Sequence, residues 1–321
     1  MFCIALVNEI KSVIQKIKVK MKLSTILVLF ISNLMFSQEV ELVNDALNTF
    51  QNVRDFCIST DTDEVYFTIQ SPNQEISQIV CVKNGNWQKP ELVSFCNEYS
   101  YLEPFLSYDG KKLYFASNRP KNDSIKTKND YDIWFVERDN TKAKWSNPIN
   151  LGNKVNSEND EFYPTLSANN NLYFTMDAKS GLGKDDIYYS KFDGKEYSEP
   201  IMLSSTINSE GYEFNAFISK DESFLIFTKY NAKDGLGSGD LYLSKKDANG
   251  EWMIGENMGN IINTKYMEYC PFYDDKTQTL YFTSRRSFLN PKKFKNLDDF
   301  QKYISEGENG LSRIYRYKIE L

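Results

Sequence analysis

Carboxylates at recurring places are the first chemistry this chain offers. Glu161, Glu213 and Glu268 each open a short apolar segment, and Glu103 falls two places later in a fourth such segment. Gathered on one rim of a ring, they would form an acidic collar able to hold a cation or a basic loop of a partner. The alternative is that each accepts hydrogen bonds from the chain just before it and serves the repeat that carries it, the commoner role for a group found at equivalent places. Arg119 and Arg286 each follow an aromatic pair by four residues. They offer forks for a carboxylate or phosphate, or partners for an acidic residue of the repeat. Asp132, Asp186 and Asp240 stand before short aromatic segments, two of them after the near-identical loops KSGLGKD and KDGLGSGD. Asp in such places holds turns through backbone amides, and the calcium-loop spacing of alternating acidic residues is absent. Trp87, Trp145, Tyr197 and Trp252 also recur in register; they read as blade packing, with a sugar platform as the other reading.

Several classes of chemistry are excluded. The chain has no histidine, so every triad with a His base and every His-ligated metal site is out. The glycines of GLGSGD lack the Lys-Ser/Thr of a phosphate loop, and no cofactor is expected. A formal net charge of −6 speaks against nucleic acid as a partner. Cys57, Cys81, Cys96 and Cys270 are scattered without metal-ligand spacing, which predicts small buried hydrophobes and at most one bridge.

The elements that must position these residues come from a repeat. Tyr66-Phe67, Tyr114-Phe115, Tyr173-Phe174, Ile226-Phe227 and Tyr281-Phe282 share one register, each preceded by an alternating strand and followed by a third strand. A fourth segment opens on the recurring aromatic, and Asn48, Asn97, Asn156, Asn208 and Asn263 mark the links between units. Four antiparallel strands per unit and five links predict an all-β propeller of five blades, with six as the alternative count. The last unit ends without a fourth strand. The segment 39–43 matches fourth strands elsewhere, so it is expected to complete the last blade and remove an open sheet edge. One insertion, 287–310, breaks the pattern; Asn296 can cap a short helix there with Leu297, Phe300, Tyr303 and Ile304 on one face.

Residues 1–37 read as a leader. From Met21, which the pattern favours as the true start, Lys22 precedes an apolar run over 23–36 and the small residue Ser37. The run falls short of the ~20 residues that span a bilayer. The propeller therefore occupies 38–321, with no membrane span after leader removal.

The run E-x-x-P-x-[LF]-S-x-[DN]-x-x-x-L-Y-F followed by D-[IL]-Y resembles the propeller repeat of the TolB-like family. Unit three carries it as Glu161, Pro164, Leu166, Ser167, Leu172, Tyr173, Phe174, Asp186, Ile187 and Tyr188. Unit one departs from it with Val53 and Phe56, and unit five with Arg313. The resemblance implies an interaction module of the bacterial envelope, periplasmic or outer-membrane-associated, or secreted. The expected function is a non-catalytic propeller that binds an envelope protein or a cell-wall glycan. The alternative is a carbohydrate-active enzyme whose acid and base are both carboxylates, which would need two or three non-equivalent carboxylates converging near the axis.

Overall fold

The computed structural model describes residue 15 and residues 39–59, 61–121 and 130–321. The segment expected to be a leader, apart from position 15, lies outside the described residues. No described helix is long and apolar enough to cross a membrane.

Five four-stranded antiparallel sheets form the five blades. The first holds β2 (Asn52–Ser59), β3 (Glu64–Gln70), β4 (Ser77–Lys83) and β5 (Glu91–Leu92). The second holds β6 (Tyr101–Leu106), β7 (Lys112–Ser117), β8 (Asp132–Glu137) and β9 (Ile149–Asn150). The third holds β10 (Glu161–Leu166), β11 (Leu172–Met176), β12 (Asp186–Ser190) and β13 (Ile201–Met202). The fourth holds β14 (Glu213–Ile218), β15 (Phe224–Tyr230), β16 (Gly239–Lys245) and β17 (Glu256–Asn257). The fifth is completed from both ends of the chain. Its strands β18 (Glu268–Asp274), β19 (Thr279–Ser284) and β20 (Arg313–Lys318) are joined by β1 (Glu41–Leu42), which pairs antiparallel to β20. The Val43 amide adds a bond to the Ile314 carbonyl at 3.0 Å. The N-terminal closing strand and the count of five are as expected; the fourth strands are shorter, two residues each, because the aromatic segments ahead of them lie outside the ladder.

The aromatic pairs lie in the second strands, where both faces of each blade are covered, and Tyr66, Phe67, Phe115, Phe174, Phe227 and Phe282 are fully buried. Links are held by their asparagines. The Asn208 side chain accepts from the Ile187 amide at 2.8 Å and donates to the Ile187 and Leu203 carbonyls, and Asn156 and Asn263 grip Ile133 and Leu241 in the same way. In the last blade Arg313 stands where blades 2, 3 and 4 have Asp and blade 1 has Gln78. Its guanidinium donates to Asn48 and to the Gln51 carbonyl, so the closing link is gripped from the opposite side.

Every innermost strand carries a bulge at one place. The register shifts after Arg54, Leu102, Phe162, Phe214 and Tyr269, and the next residues, Asp55, Glu103, Tyr163, Asn215 and Cys270, all have positive φ. In three blades the residue that follows is a proline, which has no N–H for the ladder and is tolerated in strands where pairing is broken.

Candidate functional site

The three repeated glutamates serve the repeat. Glu161 accepts from the Ser157 amide and hydroxyl at 3.1 and 2.5 Å, Glu213 from those of Ser209 at 2.7 and 2.6 Å, and Glu268 from those of Thr264 at 2.7 and 2.9 Å. All three are buried, turned into their links and away from any open collar. Arg286 donates to the Ile262 carbonyl at 2.8 Å, lies 3.7 Å from Glu268 and covers the Tyr315 ring. Arg119 stacks on the Trp134 ring at 4.9 Å. Asp186 and Asp240 accept from loop amides, Gly183 for the first and Leu236 and Gly237 for the second, while Asp132 pairs with Lys121 and Asn150. The recurring aromatics are blade packing: Trp87 stacks on Phe67, Trp145 lies under Arg138, Tyr197 packs on Phe192 and Trp252 on Tyr173. Cys57, Cys81, Cys96 and Cys270 are all unbridged, and burial pushes the first three thiols up to about 12.

Glu103 has a different fate. As a bulge residue it meets the other four at the axis. Arg54 donates through Nε to Asp55 at 2.6 Å and through Nη2 to Glu103 at 2.7 Å and to the Cys270 sulfur at 3.3 Å. The second Glu103 oxygen accepts from the Tyr163 amide at 2.7 Å, and the Cys270 thiol donates to Asn215 at 3.3 Å. This layer ties all five blades together and is buried, with Asp55 1 % and Glu103 4 % exposed. Burial pushes Glu103 up to about 7 against the pull of Arg54. Two residues further along, Cys57, Phe105, Thr165, Phe217 and Phe272 close the axis beneath it, with Phe272 packed on Phe56, Phe105 and Phe217. The axis is therefore filled, and both of its carboxylates are taken up by Arg54 and backbone amides.

Aromatic side chains line the link-side mouth of the axis. Here Phe162 and Phe214 lie half-buried against Tyr163, Tyr269 and Cys270, with Tyr131 on Phe162 at 5.2 Å and Arg54 over Tyr269 at 5.2 Å. Three positions per blade lie on this side: the residue before the Glu161-equivalent position of the innermost strand, and the pair that continues the register of the second and third strands toward the links. Strand register makes them equivalent from blade to blade. Blade 3 places Asp160, Asp177 and Asp185 there, blade 4 Tyr212, Tyr230 and Gly239, and blade 5 Met267, Arg285 and Ser312. The residue type at these positions changes from blade to blade.

The blade 3 triplet is the concentrated charge. The Asp177 amide donates to the Asp160 carbonyl, Asp160 accepts from the Tyr131 amide at 2.7 Å, and the Asp185 carbonyl accepts from the Glu213 amide, which sets Asp185 beside Phe214. Asp185 is half-buried and Asp177 exposed. Burial first, then the charges of Asp177, Asp186 and Asp160, push the Asp185 carboxyl up to about 6. No group of three acidic or thiol side chains among the described residues has metal-holding geometry. The sequence reading missed all three residues; the Asp185-Asp186 doublet, where unit four has Gly239-Asp240, was its available signal.

No family model and no curated protein matches the chain. Solved structures match the fold. An endo-arabinase from Bacteroides thetaiotaomicron superposes with a TM-score of 0.53 at 14% identity, covering 89% of this chain and 98% of that one. An α-L-arabinofuranosidase from Podospora anserina, solved with cellotriose, gives 0.50 at 10% identity over 88% and 94%. Hydrazine synthase from Kuenenia stuttgartiensis gives 0.50 at 12% identity over 74% of this chain and 36% of that one. At these identities the likeness is one of fold, and the fold carries unrelated chemistries.

Proposed function

We propose that the chain is an exported, carbohydrate-active propeller that hydrolyses a glycosidic bond at the link-side mouth, between blades 3 and 4. The observation that carries this is the triplet Asp160, Asp177 and Asp185, non-equivalent carboxylates gathered beside aromatic faces at positions that no other blade fills with acid. The rings of Phe162, Phe214 and Tyr212 offer flat faces to the C–H bonds of a sugar. Asp185, held protonated to higher pH than an ordinary carboxyl, donates a proton to the glycosidic oxygen as the C–O bond breaks. Asp177 supplies the opposing carboxylate, either activating water or attacking the anomeric carbon. The fold neighbours, an endo-arabinase and an α-L-arabinofuranosidase, direct the substrate search to arabinose-containing glycans. The leader-like 1–37 and the TolB-like repeat motif support an envelope location.

The test is release of sugar from arabinan, arabinoxylan and aryl arabinofuranosides. Turnover is expected to decline as pH rises through about 6, where Asp185 loses its proton, and Asp185→Asn should lower kcat by about 10²-fold or more. Wild-type protein that releases no sugar from any of them would overturn the hydrolase reading.

A second reading is favoured by one specific observation, the complete engagement of the axis carboxylates Asp55 and Glu103. If the chemistry at the mouth is likewise only recognition, the protein is a non-catalytic module for an envelope protein or a cell-wall glycan. Binding on a glycan array without turnover, or a stoichiometric protein captured from the native envelope, would establish it.

A further inference from the structure

Between blades 2 and 3 lies a cavity of about 340 Å³ that the proposed reaction does not use. Its floor holds two phenols: Tyr114 and Tyr197 are buried with their hydroxyls 3.5 Å apart. That contact is long, so both oxygens keep hydrogen-bonding capacity for a ligand hydroxyl. Its walls are Phe135 and Phe192, both half-buried. Lys112, Lys154 and Lys195 ring the opening against one carboxylate, Glu196, in a chain whose net charge is −6. Lys154 is engaged by Glu196 at 2.8 Å, and Lys112 leans over the Phe135 ring at 4.7 Å with Glu137 at 3.8 Å. Among the described residues Lys195 has no carboxylate partner. A larger depression of about 560 Å³ adjoins the cavity and shares Lys112.

We infer that this cleft is a second ligand site, for a carboxylated sugar. Each part of the lining answers one part of such a ligand. The ring faces take the sugar's C–H bonds, the phenols its hydroxyls, and Lys195 with Lys112 its carboxylate. The volume suits one or two sugar rings. The site does not depend on hydrolysis at the mouth. It would hold an acidic glycan in the cleft between blades 2 and 3.

Calorimetric titration of the full chain decides it, with a uronic-acid trisaccharide and its carboxyl-reduced, neutral counterpart as the two probes. The acidic probe is expected to bind about tenfold or more tighter than the neutral one, with affinity falling as salt rises. The double variant Lys112→Glu, Lys195→Glu should lose about tenfold or more. Asp185→Asn, at the mouth, should leave this binding unchanged whether or not it alters hydrolysis. Equal affinity for the two probes, no binding of the acidic one, or loss of binding in Asp185→Asn with the lysine variant unaffected would each overturn the assignment. Because Lys112→Glu would face Glu137 across the ladder, the single variant Lys195→Gln is the second test: it leaves Lys112 in place, removes charge without reversing it, and should fall between wild type and the reversal.

Discussion

At the scale of single residues, the chain divides its polar groups between two tasks. Asn156, Asn208 and Asn263 and their neighbouring Glu161, Glu213 and Glu268 satisfy backbone groups that a link would otherwise bury unpaired. Asn208→Ala would strand the buried Ile187 amide, and a loss of about 2 kcal/mol is expected from urea unfolding. Glu161 carries a pH signature. Burial raises its carboxyl to about 7, above the ordinary 4.5, so between those values the folded chain holds a proton that the unfolded chain has released. Stability from this group is complete below about 4.5 and declines as pH rises to about 7. Denaturant midpoints taken across that window should therefore show wild type losing ground to Glu161→Gln as pH increases. The same reasoning separates what the sequence disclosed from what it hid. The glutamates, asparagines and turn aspartates were legible because each recurs. Asp160, Asp177 and Asp185 looked like ordinary loop polarity, since only strand register brings three separated positions to one rim.

At the scale of elements, the twin loops of blades 3 and 4 owe their shape to glycine. A Cβ on Gly237 would run into the carbonyl oxygens of Thr264 and Tyr266, and one on Gly183 into that of Gly211. Both loops thus lie flat against the next link, and backbone cannot yield as a side-chain tip can. Gly237→Ala should cost about 2 kcal/mol or more in thermal or urea unfolding. The helix α1 (Leu297–Ser305) formed where its cap predicted, with the Asn296 side chain accepting from the Asp299 amide at 2.8 Å. Phe300 and Tyr303 pack on Phe294 within the insertion, while Leu297 remains 66 % exposed. The bulges were not legible as such. Their mark, the proline of E-x-x-P, was visible as part of the motif, but its meaning depends on the residue before it turning to positive φ and pointing down the axis.

At the scale of the whole molecule, ring closure is the decisive feature. β1 contributes only two ladder residues, and the exposed Arg316–Glu41 pair beside it adds little. Its role is to cover the edge of β20. A chain beginning at residue 44 should keep its blades yet expose that edge, and light scattering is expected to show concentration-dependent association that the chain beginning at 38 does not. The count of blades and the use of the N-terminal strand followed from the sequence because a fourth strand was missing at one end and spare at the other. The filled axis did not follow, because five unlike residues at one repeat position carry no shared signature.

The axial layer also governs when the molecule becomes itself. Arg54 reaches Cys270 across 216 positions of chain, and the closing pair spans 275. Blades can form as they are synthesised, since each is local, but the bonds that join the first to the fifth have no counterpart until nearly the last residue has emerged. Four finished blades are still an open arc with two raw ends and a buried arginine lacking its last neighbour. The final fifty residues do not extend the structure so much as close it, joining a row of separable sheets into one ring.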